Sequence, residues 1–448
     1  MTEKEQFEKF MLAGHGRCFR LLENHHEEYR DLILYGCLND ISFDLQCEGS
    51  RSCFMYNLAL QYDDADFFLN AVIEKFLALE PDSSWHIMTH LADLLVCFAF
   101  DNHDKSAETA LDDKYHQLYD LCMSRRWSQS AHDITENYEY LAICLIQNYD
   151  FDRTLQIFHD IGAYFLKKKH TAADELQWRL SQFWFHVNEK YTKDFLQTEI
   201  SKAARTSKEI RRFQRVMYVS DETSPTKNIS VPTAEEMISQ SQINPRQRSL
   251  FAYRADETEK IKLAEAVLSE PDLTRKTELL EAFTHSRNPW KLAIEPLLDY
   301  AQSDDEFLRQ EAFQVLGNIK ENSPVIHEFA LSILKNHFQI DAFVMLMHHY
   351  QAQDKNFLMQ MLNQIQIDHE DYGGGHHVIM ELLDCAEENP AFPDEAVLWT
   401  YENSPCSCCR LSAVELMLKR NLLTDELIQE CTLDSDSDIR ALINKKFF

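Results

Sequence analysis

Glycine is scarce in this chain, with nine residues in 448, about 2% against a usual ~7%. Tight turns between strands need backbone at positive φ, which glycine supplies most easily. A chain with so few glycines and only 11 prolines is therefore expected to be all-α. There is no run of about 18 uncharged apolar residues, so no transmembrane helix is expected. The opening MTEKEQFEKFMLAGHGR is charged and lacks an apolar signal core, which points to a cytoplasmic protein. The motifs G-x-S-x-G and H-E-x-x-H are absent, as is G-x-G-x-x-G after a strand pattern. The expectation is a protein that binds rather than catalyses, with no cofactor.

Positive charge is also in short supply. The net charge is −30, and it is zoned. Residues 1–150 hold 11 Lys and Arg against 27 Asp and Glu, and residues 251–448 hold 17 against 35. Between them, residues 151–250 hold 16 against 12. Two acidic arms flank a weakly basic middle. Acidic surfaces repel phosphate backbones and attract basic ones, so a basic protein partner is expected and nucleic acid is disfavoured.

Amphipathic helices fill the first half. Apolar spacing predicts helices over 5–22, 29–38, 66–79, 151–168 and 174–191. Asp82 and Ser83 are candidate caps for a helix holding Trp85. Asp133 with Glu136 has the spacing of a capping box before 140–146. Residues 217–247 then break the pattern, being polar with several prolines, and read as a linker between domains at 1–216 and 248–448. Within it, Thr233 to Glu236 has capping-box spacing, and Asn244-Pro245 breaks the chain again.

The second half carries a period. In PLLDYAQSDDEFLRQEAFQVLGNI, residues 296–319, one apolar helix ends at Ser303-Asp304-Asp305 and a second opens with Phe307, Arg309, Ala312, Val315 and Leu316. The pattern returns at Asp434 to Arg440 and, with cysteines in place of acids, at Ser404 to Arg410. Arg275 in PDLTRKTELLEAF fits it too, while helices beginning near Ile340 and His376 lack the arginine. This grammar resembles HEAT and PBS-lyase-type repeats, in which an early arginine of the second helix can cross the turn to its acidic side chains. A period near 34 is shared with tetratricopeptide repeats, whose Trp/Gly/Tyr signature is missing. The resemblance implies an α-solenoid of antiparallel helix pairs over about 255–448, with the first half a divergent helical array. Such a stack offers a curved surface to a partner. HEAT proteins most often bind proteins, and a minority, such as alkylpurine DNA glycosylases, handle nucleic acid. An inhibitor or immunity protein neutralising a basic toxin or nuclease is one form of the expectation.

Several clusters invite chemistry. His86, His90 and Asp93 share one helical face and have metal-ligand types. Cys406, Cys408 and Cys409 crowd one turn, with Cys385 and Cys431 in neighbouring helices, but the spacing is wrong for two zinc-binding pairs. No resident metal is expected at either. Gly373-Gly374-Gly375-His376-His377 reads as an inter-helix turn rather than a nucleotide loop. Lys202, Arg205, Lys208, Arg211, Arg212 and Arg215, beside Phe213 and Tyr218, form a basic helix suited to nucleic acid or to an acidic surface. Residues 301–400 hold 4 Lys and Arg against 17 Asp and Glu. There Asp384, Glu387 and Glu388 are the candidate docking acids for a basic partner.

Overall fold

The computed structural model describes residues 2–23, 26–44, 48–124, 129–167, 183–217, 230–284, 290–365, 367 and 374–448. Among these residues the chain is helical with no strand. None of the helices is long and apolar enough to cross a membrane. The chain divides into two compact units. The first comprises Met1–Pro225, Pro405–Cys408 and Thr424–Phe448, and the second Thr226–Ser404 and Cys409–Leu423.

The first unit begins with α1 (Glu3–Ala13), α2 (Arg17–Leu22) and α3 (His26–Leu38). The single helix expected over 5–22 is broken because Gly14 takes a left-handed conformation (φ 68°) and caps α1. Then come α4 (Ser52–Ala59), α5 (Asp66–Ala78), α6 (Trp85–Val96), α7 (Lys105–Ser124), α8 (Gln129–Asn148) and α9 (Phe151–Lys167). Two expected caps are not made. Helix α6 starts after Ser84 without a side-chain cap bond, and Asp133 and Glu136 lie inside α8, which starts earlier than the capping-box spacing suggested. The expected 174–191 helix lies mostly outside the described residues. Helices α10 (Lys193–Ala203) and α11 (Lys208–Met217) follow. Gly162 lets α9 and α11 close up, since a Cβ there would collide with the Glu209 backbone.

The second unit runs through α12 (Ala234–Ser239), α13 (Pro245–Arg254), α14 (Glu257–Ser269), α15 (Leu273–Leu280), α16 (Glu295–Tyr300), α17 (Glu306–Gly317), α18 (Pro324–Leu334), α19 (Ile340–His348), α20 (Lys355–Leu362), α21 (Gly374–Glu388) and α22 (Asp394–Asn403). Helix α23 (Ser407–Arg420) follows, and α24 (Asp425–Thr432) and α25 (Ser437–Phe447) end the chain. These last two helices, at the end of the expected 248–448 domain, pack in the first unit. There Ser435 N–H donates to Gly14 O at 2.8 Å and Arg17 pairs with Glu430 at 2.8 Å.

Part of the expected linker is folded. Thr233 and Glu236 do form a capping box on α12, and Ala234, Met237 and Ile243 are buried. Polar composition hid a few apolar residues placed on one side of a short capped helix. The remaining stretch, 218–229, lies outside the described residues.

In the second unit α14 packs on α15, α16 on α17 and α18 on α19, and the second members α15, α17, α19 and α21 contact one another in succession. Phe307, at the start of α17, is 72% exposed. Leu308, Ala312, Val315 and Leu316 fill the buried face of that helix.

Candidate interaction surface and polar cleft

The turn arginines make one recurring contact. Arg309 Nη1 donates to Ser303 O at 3.0 Å, Arg410 Nη1 to Ser404 O at 3.4 Å, and Arg440 Nη1 to Asp434 O at 2.6 Å. In a fourth case Arg211 Nη2 donates to Arg205 O at 3.2 Å. Each arginine stands four residues after the residue preceding its helix and reaches back six, to a carbonyl in the turn. Such carbonyls have no intrahelical partner, and a charged donor satisfies them strongly. The acidic side chains have another task. Asp305 and Asp436 cap their helices, accepting from Leu308 N–H and Ile439 N–H. Arginine therefore crosses the turn as expected, but to backbone rather than to the acids. Arg275 departs from the register, binding Met237 O at 2.7 Å and pairing with Glu278.

A polar cleft of about 340 Å³ opens on α17, α19 and α21, lined by Gln314, Asn318, Asp341, Val344, His377 and Glu381 among others. His377 and Glu381 stand one turn apart on α21 and share the cleft wall, and Asp341 faces them from α19. Burial pushes the Asp341 carboxyl up, and His377 partly counters it. Glu381 is differently placed. Burial opposes its charge, yet bonds from His348 Nε2 (2.6 Å) and Lys320 Nζ (2.6 Å) outweigh this and bring its pKa to about 2. His348 is itself held below its usual range, first by burial. Its other nitrogen, Nδ1, lies 3.1 Å from Cys385 Sγ. Burial pushes the Cys385 thiol up, so thiol, imidazole and carboxylate make a structural proton-donor chain rather than an activated nucleophile. Sequence reasoning missed this group, because its members are scattered from 320 to 385 with no shared motif.

The acids singled out on α21 are at the surface. Asp384, Glu387 and Glu388 are all exposed, and Glu387 pairs with Lys419 at 2.8 Å. On the basic helices, Lys202, Arg205, Arg211 and Arg215 are exposed and Arg212 is half-buried. Arg211 is committed to Ala204 O as well as to Arg205 O. Phe213, named beside them, is fully buried and stacks on Phe158 with centroids 4.4 Å apart. It belongs to the core because it lies on the apolar side of α11. Tyr218 lies outside the described residues.

The three metal-ligand types on α6 go separate ways. His90 is fully buried, its Nε2 3.0 Å from Gly36 O and its Nδ1 3.3 Å from Ser52 Oγ, and burial lowers its pKa. Asp93 accepts from Ser50 Oγ and Tyr140 OH, each at 2.5 Å. His86 is 47% exposed, near Asp40. Among the cysteines, Cys406 and Cys409 are buried and Cys408 exposed. Cys409 Sγ is 3.3 Å from His376 Nε2. Cys385 stands with His348 as described, and Cys431 is fully buried in the first unit.

Glu311, on α17, gives a pH prediction. Burial first, and the nearby Glu281 second, raise its pKa from 4.5 to about 7, against the pull of Arg248. A folded-state pKa above the unfolded one means that the folded chain holds the proton more tightly. Stability from this site is full below pH ~4.5 and is lost as pH rises through about 7. Glu311→Gln is expected to stabilise the second unit at pH 8 by about 1–2 kcal/mol, after allowance for solvent screening, and to change little near pH 4. Denaturant unfolding at the two pH values checks this.

Neither a protein-family model nor a curated protein matches this chain.

Proposed function

We propose that this chain is a non-enzymatic interaction protein whose second unit stacks HEAT-like helix pairs into a solenoid and presents an acidic surface to a basic protein partner. The observation that carries the reading is the run of second helices α15, α17, α19 and α21, in contact one after another, with a carboxylate-bearing cleft and exposed acids on them. The arginine at a constant position in the turns supports a repeat origin. Charge supports the choice of partner. With 4 Lys and Arg against 17 Asp and Glu in residues 301–400, most acids must face water, because burying them unpaired is costly. A surface of one sign steers a partner of the other. An inhibitor of a basic toxin or nuclease is one form of this function.

A nucleic-acid role for the basic middle has weaker support, since Phe213 is buried and Arg211 is bound to its own backbone. A nuclease-treated pull-down with the full chain separates the two. The expected result is a stoichiometric basic protein that survives nuclease and leaves at high salt. Recovery of nucleic acid alone, lost on nuclease treatment, would favour the basic middle.

A further inference from the structure

Cys53 lies in the first turn of α4, and Cys97 opens a π-helical turn, Cys97–Asp101, that continues α6. The two elements pack directly on one another. Their sulfurs are 2.7 Å apart, close to the ~2.0 Å of a bond. The partners are unequal in access, Cys53 being exposed and Cys97 buried. A π-turn is rare and is frequently found at functional sites, and this one begins at the cysteine that meets Cys53.

We propose that Cys53 and Cys97 are a peroxide-sensitive thiol pair that closes into a reversible disulfide, with Cys53 the attacking thiol and Cys97 the resolving one. The electrostatics agree with that division. The hydrogen bond from Cys97 lowers the Cys53 pKa, against burial and the charges of Asp93 and Asp101, and Arg440 also favours the thiolate. The same bond and burial push Cys97 up, so it keeps its proton until it is needed. In the first step the Cys53 thiolate attacks one oxygen of hydrogen peroxide. The O–O bond breaks, Cys53 becomes a sulfenic acid, and the departing hydroxide takes a proton to become water. In the second step the Cys97 sulfur attacks the Cys53 sulfur, the S–O bond breaks, and the departing oxygen leaves as water with the Cys97 proton. Two thiols and one peroxide give one disulfide and two waters. Cys144 shows the contrast: it is buried against Asp93, and burial raises its pKa.

The test treats the folded full-length chain with one equivalent of hydrogen peroxide. The sample is then denatured in N-ethylmaleimide and digested without reductant. The expected result is loss of two alkylatable thiols per chain, a linked peptide pair containing Cys53 and Cys97 as the main product, and full recovery with dithiothreitol. In Cys97→Ala, Cys53 should stall as a sulfenic acid that dimedone captures. In Cys53→Ala, Cys97 should remain alkylatable. The wild-type arm stands without either variant, and circular dichroism checks that both variants fold. The proposal is overturned if both residues are recovered as separate alkylated peptides, whether or not other cysteines oxidise. Over-oxidation of Cys53 in the wild type while Cys97 stays free would overturn it equally.

Discussion

Replacing Arg51 by Met is expected to destabilise the first unit by about 3–5 kcal/mol, the usual cost of stripping one partner from a buried ion pair. Arg51 is 3% exposed. Its guanidinium bonds Glu48 Oε2 at 2.6 Å, Ile41 O at 3.0 Å, Pro405 O at 2.7 Å and also Leu12 O. One side chain thus joins α1, the 41–48 segment and a residue from far along the chain, all within the same unit. Met keeps the length of the stem but leaves the Glu48 carboxylate, only 2% exposed, without its cation, and removes the guanidinium that donates to the three carbonyls. Adding Glu48→Gln to Arg51→Met should restore part of the loss, because the stranded charge is then gone. Denaturant unfolding followed by a probe in the first unit checks both. A loss below about 1 kcal/mol, the scale of an exposed pair, would mean that water reaches this site.

Arg410→Ala carries the second large effect. Arg410 is fully buried and the largest such side chain among the described residues. Its removal leaves a large cavity and takes a charged donor from the Ser404 carbonyl, so a loss of about 3 kcal/mol or more in the second unit is expected. Arg309 makes the same six-residue reach from a half-buried position. Arg309→Ala, with water able to replace the lost donor, should cost only about 1 kcal/mol. The ordering of the two variants is the sharp part of the prediction. Equal losses would show that the shared contact, rather than burial, sets the cost.

The sequence was readable where local chemistry decided the outcome. The turn at Ser303-Asp304-Asp305, its return from Asp434 to Arg440 and the capping box at Thr233 and Glu236 all depend on neighbours within a few residues. The arginine register was visible for the same reason, although its true acceptor was not, since side chain and backbone lie equally close to it in sequence. Apolar spacing found α9, expected over 151–168 and observed as Phe151–Lys167. The capping box at Asp133 and Glu136 was outweighed by a longer helix whose face packs against α6 and α7. Contacts between distant residues left no local trace. Glu381 with Lys320 and His348, and Cys53 with Cys97, are separated by tens of residues and become neighbours only through helix packing. The pairing of α24 and α25 with the first unit was hidden for the same reason. Their repeat-like sequence is local, but the surface that receives them begins at Gly14 and Arg17.

The central claim, an acidic docking surface for a basic protein, is tested most directly by the association rate of the captured partner as a function of salt. The wild-type chain is compared with a variant carrying Asp384→Lys, Glu387→Lys and Glu388→Lys, all at exposed positions. The account predicts that wild-type association slows as salt rises, because screening shortens the reach of surface charge to about 8 Å at physiological ionic strength. It further predicts that the triple variant associates at least about tenfold more slowly at low salt, with a much flatter salt dependence. An association rate that neither salt nor the triple reversal changes would contradict the account, leaving the acids as a solubilising coat and directing attention to Lys202, Arg205, Arg212 and Arg215.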